Sequence, residues 1–157
     1  MIIHRSPFPD VEIPDITVTE HVLRWADRVP DRPALVDGST GRTYTYGQLK
    51  MMIASFAGGL AARGLGPGDT IALMAPNIPE YAVAFHGAAV AGVAVSTINP
   101  TYTAEEVRFQ LRDSGAKMLI TIAMFADMAK EAAEGTDVAD IVVIGEAPEG
   151  TLPVTAV

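Results

Sequence analysis

From residue 71 onwards the chain alternates short apolar runs with longer segments of helical length. Four runs have the length of β-strands and cover residues 71–75, 93–98, 117–121 and 140–144. The segments between them are long enough for helical crossovers, which parallel strands require because a tight turn cannot join them. The pattern therefore predicts an α/β fold, a three-layer sandwich with a mainly parallel sheet of about four strands.

Four segments carry the signature of a helix start, in which Thr or Asn is followed three residues later by Glu or Gln. The pairs are Thr17 with Glu20, Thr45 with Gln48, Asn77 with Glu80, and Thr103 with Glu106. We expect the first helix to run to about residue 28, with Val22, Leu23, Trp25 and Ala26 on or near its inner side. The second should bury a stripe at helical spacing that comprises Leu49, Met52, Ile53, Phe56 and Leu60.

The segments at the two ends differ from this core. Residues 1–15 contain three prolines and no periodicity, which predicts an extended N-terminal arm. Residues 34–37 and 42–45 flank a Gly-Ser-Thr-Gly loop and predict a short antiparallel hairpin. We expect residues 16–146 to form an α/β N-terminal subdomain, an incomplete large domain, and residues 147–157 to form an irregular tail.

The composition excludes several kinds of partner and site. The 19 acidic residues outnumber the 11 Lys and Arg, so the formal net charge is −8 and a nucleic acid or an anionic membrane is not expected as partner. The chain has no cysteine, which excludes disulfides, thiolate zinc sites and cysteine nucleophiles. The most membrane-like window, residues 81–96, contains His86 and is mostly Ala, Gly and Val, so we expect no transmembrane segment and a cytoplasmic location.

Candidate ligand-binding side chains follow the predicted strands, because sites in such sheets lie at the carboxyl ends of the strands. Asn77, Asn99 and Thr101 are the polar residues there, although their positions also suit helix capping and turn formation, which we favour. His86 lies in a segment of small residues and is interpreted as a packed or half-exposed histidine rather than a ligand. The three histidines, His4, His21 and His86, include no pair with the spacing of metal ligands.

The acidic pair Glu105 and Glu106 could in principle serve in acid-base catalysis, but a solvated first helical turn is the better interpretation. Glu105 is also placed to meet Arg108 one turn later. Phe109 points away from the predicted inner side of that helix, so we expect it to pack on a second element or a partner. The glycines of residues 64–69 follow a helix instead of a strand, which indicates a helix end and turn, not a phosphate-binding loop.

Two motifs are more specific. Residues 43–49 (TYTYGQL) and 91–100 (AGVAVSTINP) resemble the first two core motifs of the adenylate-forming acyl-CoA synthetase superfamily. Weaker supporting matches, in the family's order and spacing, are residues 32–35, 66–69, 76–80 and 113–117. Ala94-Val95 and Asn99-Pro100 resemble the 4-coumarate–CoA ligase and fatty-acyl-CoA synthetase branch, because peptide-synthetase adenylation domains usually have a tyrosine and Asp-Pro in this motif.

The resemblance implies a two-step reaction with ATP, Mg²⁺ and coenzyme A in the full-length enzyme. A carboxylate attacks ATP to give an acyl-adenylate, and the thiol of coenzyme A then displaces AMP. The phosphate loop and the catalytic lysine of such enzymes have no match in residues 1–157, so we assign no catalytic, cofactor-binding or metal-binding residue. We expect an inactive N-terminal fragment with no ligand bound, whose partner is the remainder of its own chain.

The apolar content of 49% suggests a face that is normally covered, so self-association of the fragment is also expected. Two alternatives differ in class. One is a self-contained, non-catalytic α/β module that binds a nucleotide or a protein. The other is a phosphoacceptor receiver domain, which is disfavoured because Asp37 lies in the predicted hairpin and Lys117 begins a strand.

Overall fold

A computed structural model describes residues 6–157, so the first five residues of the predicted N-terminal arm lie outside the described residues. Residues 6–15 contain no helix or strand and are exposed. From there the elements are α1 (Val18–Leu23), β1 (Pro33–Val36), β2 (Thr43–Thr45), α2 (Tyr46–Ala62), β3 (Thr70–Leu73), α3 (Pro79–Val90), β4 (Ala94–Thr97), α4 (Ala104–Ser114), β5 (Met118–Ile122), α5 (Ala126–Ala133), β6 (Asp140–Ile144) and β7 (Leu152–Pro153).

The main sheet has five strands in the order β4-β3-β5-β6-β7, and all neighbouring strands are parallel. Strands β1 and β2 pair antiparallel as a separate two-stranded sheet. The predicted fold class is therefore confirmed, with one strand more than expected. None of the helices within residues 6–157 has the length and apolar character that crossing a membrane requires.

Alternating side chains of the parallel strands supply two cores, one on each face of the sheet. On one face, Ile71 and Leu73 of β3 pack with the buried stripes of α2 and α3. On the other face, Ala72 of β3 and Leu119 of β5 pack with α4 and α5. The sheet thus lies between two helix pairs, and the predicted three-layer sandwich is confirmed. The predicted stripe of α2 is buried except Met52, which is half-buried.

The first helix is shorter than predicted and ends at Leu23. Beyond it the backbone bonds shorten to a three-residue spacing, with Ala26 N donating to Leu23 O at 2.9 Å. Ala26 is buried in this tighter turn, whereas Trp25 in the same turn and Val22 within α1 are about half exposed, at 49% and 47%. The prediction that Val22 and Trp25 face inward is therefore wrong.

The tail predicted as irregular at residues 147–157 contributes β7, which pairs with Val142 and Val143 on the open edge of β6. Beyond β7 the chain crosses α2, where Arg63 Nη2 donates to the Ala156 carbonyl at 3.0 Å. A two-residue strand that contains a proline has no periodicity to detect. The position of β7 is decided only by the free backbone N–H and C=O groups at the edge of β6, with which it pairs.

Gly58 and Gly59 of α2 provide a matched test of this crossing. A Cβ on Gly59 would overlap the backbone carbonyl group of Val157, whereas a Cβ on Gly58 would meet nothing within 4 Å. Alanine should raise helix stability at both sites by about 0.5–1 kcal/mol, but at position 59 it must displace the tail. We expect Gly58→Ala to stabilise the protein and Gly59→Ala to destabilise it by about 1–2 kcal/mol in urea unfolding. Equal stabilisation by both variants would show that the tail does not lie against α2.

Candidate functional site

The carboxyl ends of β3 and β4 lie side by side at one edge of the sheet, with Leu73 opposite Thr97. The structure brings the predicted candidates Asn77, Asn99 and Thr101 to this edge, because they follow these two strands directly. Ligand sites in open parallel sheets are found at this position. We therefore take this edge, with the hairpin and the start of α3, as the candidate site.

Asn99 and Thr101 form a turn. Asn99 Oδ1 accepts hydrogen bonds from the Thr101 backbone N–H at 3.1 Å and from Thr101 Oγ1 at 3.0 Å. This arrangement satisfies both polar side chains locally, as an Asn-initiated turn does. Turn formation, the interpretation favoured from the sequence, is what the structure shows for these two residues.

The capping box predicted for Asn77 and Glu80 is wrong. Ile78 is the residue that precedes the helix, Pro79 opens it, and no side chain caps it. A residue before proline is driven to extended backbone, and Ile78 has φ −109° and ψ 156°. Glu80 is thereby the second residue of the helix instead of the third, and the exposed Asn77 is not its cap.

Glu80 instead binds the hairpin. Its Oε1 accepts a 2.6 Å hydrogen bond from the Tyr44 hydroxyl, and Arg42 Nη2 lies 2.8 Å from Oε1 and 2.9 Å from Oε2. The Glu80 residue is only 9% exposed, so the carboxylate is stabilised mainly by these two partners. Arg42 also lies 5.5 Å from the centre of the Tyr44 ring. We call Arg42, Tyr44 and Glu80 the hairpin clamp.

The clamp changes the chemistry of the tyrosine. Burial, together with the hydrogen bond to Glu80 and the negative charge of that residue, raises the pKa of Tyr44 above its usual value. The hydroxyl therefore remains a proton donor at neutral pH and fixes the orientation of β2. Sequence reasoning missed the clamp because its members are 36 and 38 residues apart. One signal was available, since Glu80 is the only Asp, Glu, Lys or Arg in α3.

A groove of about 490 Å³ lies beside the clamp. Most of its lining is apolar, with Asn77 and His86 as polar members; the other residues are Leu35, Val36, Ile78, Pro79, Tyr81, Ala82 and Phe85. It is formed by β1 on one side and by α3 and its leading turn on the other. An apolar groove with a few polar groups at a strand end is suited to binding an uncharged or aromatic group.

His86 is half-buried, in agreement with the prediction. Its Nδ1 lies 2.9 Å from Thr19 Oγ1, and its ring meets Phe85 edge-on with centroids 5.5 Å apart. Burial lowers the pKa of His86 and so favours the neutral form of the ring. Thr19 is 4% exposed, which leaves its hydroxyl no access to a substrate. The pair therefore joins α1 to α3 and does not act as a nucleophile and base.

The first turn of α4 is capped as predicted. Thr103 Oγ1 accepts from the Glu106 backbone N–H, and Glu106 Oε2 accepts from the Thr103 backbone N–H at 2.8 Å. Glu105 does not meet Arg108, which donates to the Glu131 carbonyl of α5 instead. Arg108 thereby joins the two helices on one side of the sheet, which accounts for the failed ion-pair prediction.

The capping carboxylate of Glu106 yields a pH prediction. Hydrogen bonds from Thr103 lower the pKa of Glu106, so its folded value is below its unfolded value. Its contribution to stability is therefore present above the unfolded pKa and is lost as the pH falls through the folded pKa. We expect Glu106→Gln to lower the free energy of unfolding at pH 7 and to make little difference at acid pH. An equal effect at both pH values would contradict this assignment.

The glycine-rich segment of residues 64–69 forms a helix end and turn, as predicted. Gly64 has φ 78°, and Asp69 Oδ2 accepts from the Gly66 backbone N–H at 2.9 Å. The segment precedes β3, so it lies at the amino ends of the strands, opposite the candidate site.

All three lysines pair with an aspartate: Lys50 with Asp27, Lys117 with Asp69, and Lys130 with Asp127. Residues 6–157 also contain no cluster of three or more His, Asp or Glu that could hold a metal ion.

The chain is similar in sequence to known proteins. The profile of a family described as AMP-binding enzyme matches residues 22–155. The chain is 38% identical to 4-coumarate–CoA ligase 1 of Petroselinum crispum over 152 residues, which are 96% of this chain and 28% of that protein. It is 36% identical to 4-coumarate–CoA ligase 3 of Arabidopsis thaliana, again over 96% of this chain and 27% of that protein. The chain thus spans less than a third of the length of these relatives.

Solved structures give the same result for the fold. A long-chain-fatty-acid–CoA ligase from Archaeoglobus fulgidus matches with a TM-score of 0.85 at 20% identity, covering 97% of this chain and 31% of that chain. The N-terminal domain of FACL13 from Mycobacterium tuberculosis matches with a TM-score of 0.72 at 34% identity, covering 80% of this chain and 33% of that chain. The described residues therefore share the fold of part of each of these two structures.

Proposed function

Since the chain belongs to the AMP-binding enzyme family, as the match over residues 22–155 shows, we propose that it is the N-terminal part of an ATP-dependent carboxylate–CoA ligase. The observation that carries this proposal is the 38% identity to a 4-coumarate–CoA ligase over 96% of the chain. The second motif, with Asn99-Pro100, supports the 4-coumarate–CoA ligase and fatty-acyl-CoA synthetase branch. We place the enzyme in the cytoplasm and its substrates among aromatic or fatty carboxylic acids.

The proposed reaction of the whole enzyme has two balanced steps. The substrate carboxylate attacks the α-phosphorus of ATP, and pyrophosphate leaves. The sulfur of coenzyme A then attacks the acyl carbon, AMP leaves, and the thiol proton passes to solvent. Both steps develop negative charge on phosphate oxygens, so they need cationic or backbone N–H donors fixed in advance.

The described residues provide no lysine without a carboxylate partner and no phosphate-binding glycine loop at the candidate site. Each lysine is held by an aspartate, and the glycine-rich turn lies at the wrong edge of the sheet. We therefore assign no chemical step to residues 6–157. We propose instead that they position other parts of the site. The hairpin clamp fixes the strand that carries the first family motif against the helix that follows β3. This contact would hold one wall of the apolar groove in place for the segments that complete the site.

Two measurements test the proposal. We expect the 157-residue polypeptide by itself to show no ATP–pyrophosphate exchange above a heat-inactivated control, because losing even one fixed donor costs about 10² to 10³ in rate. Exchange above that control would contradict a purely positioning role.

The second measurement concerns the coding sequence downstream of Val157, where we expect a Thr/Ser-Gly-rich loop that ends in Pro-Lys-Gly. The longer polypeptide should form CoA thioesters when given 4-coumarate or a fatty acid together with ATP, Mg²⁺ and coenzyme A. Omitting coenzyme A should leave the acyl-adenylate, which serves as the internal control. A downstream sequence without that loop, or a longer polypeptide that forms no thioester, would overturn the proposed function.

A further inference from the structure

An exposed acidic and aromatic surface lies on α4 and the turn that precedes it, away from the hairpin clamp. Its members are Tyr102, Glu105, Phe109 and Asp113, which we call the α4 patch; they line a groove of about 880 Å³. Phe109 is 73% exposed and Tyr102 is 40% exposed. Spacings of four residues put Glu105, Phe109 and Asp113 in one stripe along the helix, about 12 Å long. Within residues 6–157, neither Glu105 nor Asp113 forms an ion pair.

A surface of complementary composition lies at the end of α1. Its members are Val22, Arg24, Trp25 and Arg28, which we call the α1 patch. Trp25 is 49% exposed, and the guanidinium carbons of Arg24 and Arg28 lie 5.8 and 4.5 Å from the centre of its ring. In the part of the chain that the structure describes, neither arginine pairs with a carboxylate. The α1 patch therefore presents an indole ring beside two guanidinium groups that pair with no carboxylate in the described residues.

We propose that the α4 patch of one copy binds the α1 patch of a second copy. Carboxylates at both ends of the Phe109 stripe complement guanidinium groups that accompany the Trp25 ring, and the contact removes both aromatic side chains from water. The net charge of −8 makes two copies repel each other over most of their surface. Association is therefore directed to the place where opposite charges and exposed aromatic rings coincide.

The two patches differ, so the contact is head-to-tail and leaves one patch of each kind free at the ends of an assembly. Stable interfaces usually bury about 800 Å² on each partner, and these patches comprise few residues, so the association is weak. Added salt screens both the general repulsion and the local attraction, and its effect alone does not identify the contact. The inference does not depend on the proposed ligase function.

Charge reversal tests the contact directly by sedimentation of the 157-residue chain over a concentration series that reaches the millimolar range. The wild type should show a mass that rises with concentration. The variant Glu105→Lys with Asp113→Lys and the variant Arg24→Glu with Arg28→Glu should each associate at least about tenfold more weakly, because each leaves like charges facing one another. An equimolar mixture of the two variants should regain wild-type association, since each reversed patch then meets a reversed partner.

The control variant Glu146→Lys with Glu149→Lys makes the same change in net charge as the α4 reversal, at two exposed positions that follow β6 and belong to neither patch. It should associate at least as well as the wild type. Far-UV circular dichroism and urea midpoints establish that all variants are folded. A wild type that stays monomeric throughout the series would overturn the proposal and would point to another occupant of the α4 patch. Association that ignores either reversal, or a mixture that fails to recover, would also overturn it.

Discussion

Gly87→Ala is expected to destabilise the protein by about 2–3 kcal/mol, although alanine is the better helix former. Gly87 is buried where α3 packs on α2. A Cβ at this position would lie 2.7 Å from Phe56 Cδ1, 3.1 Å from Phe56 Cβ and 3.2 Å from the Ile53 carbonyl oxygen. Phe56 and Ile53 are 4% and 2% exposed, so neither has free space into which it can move. The extra methyl group must therefore separate the two helices.

The measurement is urea unfolding of the variant beside Gly58→Ala, which makes the same chemical change at an open helical position. The control should be stabilised by about 0.5–1 kcal/mol. A second control adds Phe56→Ala, which removes the ring and with it the Cδ1 atom that the new methyl group meets. The double variant should be more stable than the sum of the two single effects predicts. Strict additivity would show that the Phe56 ring does not limit the approach of α2 and α3.

Glu80→Ala is expected to cost about 2–3 kcal/mol because it leaves the Tyr44 hydroxyl and the Arg42 guanidinium without their shared partner. Loss of one member of a fully buried ion pair costs about 3–5 kcal/mol. The Arg42 side chain is 49% exposed and remains partly hydrated, which reduces the effect. Glu80→Gln keeps an acceptor for the Tyr44 hydroxyl and should cost less than the alanine variant.

A double-mutant cycle between Glu80→Ala and Tyr44→Phe isolates the hydrogen bond of the clamp, because each variant removes it, and we expect a coupling of about 1–2 kcal/mol. As a control, Glu105→Gln removes an exposed carboxylate that has no ion pair in the described residues and should change stability by less than about 0.5 kcal/mol.

Hydrogen exchange gives a second readout, because the amides of β1 and β2 should lose protection in Glu80→Ala before those of β5. Hairpin protection equal to that of the wild type would contradict the clamp.

The Gly87 and clamp variants also bear on function, because the residues that they replace hold segments that carry family motifs. The clamp fixes β2, which opens the TYTYGQL motif, to the first turn of α3. In a complete enzyme, we expect the loss of the clamp to affect the apolar groove between the hairpin and α3 more than the parallel sheet.

The features that depend on residues close together in the sequence could be predicted from the sequence. The capping boxes of Thr17, Thr45 and Thr103 are present as predicted, because both members lie within one helical turn. The strand predicted at residues 140–144 agrees with β6 to the residue, since a short apolar run between turn signals leaves little choice. The order and spacing of the motifs predicted the family, and the match over residues 22–155 confirms it.

The tertiary structure alone decided which distant partner each polar or terminal group takes. Glu80 binds residues of the hairpin instead of capping its own helix, and Arg108 reaches α5 instead of Glu105. The tail becomes a strand because β6 has a free edge. The sequence therefore fixes local backbone preference and the apolar faces, whose energies depend on adjacent residues. The choice among several possible hydrogen-bond partners depends on which of them packing brings within about 3 Å, and that distance exists only in the folded chain.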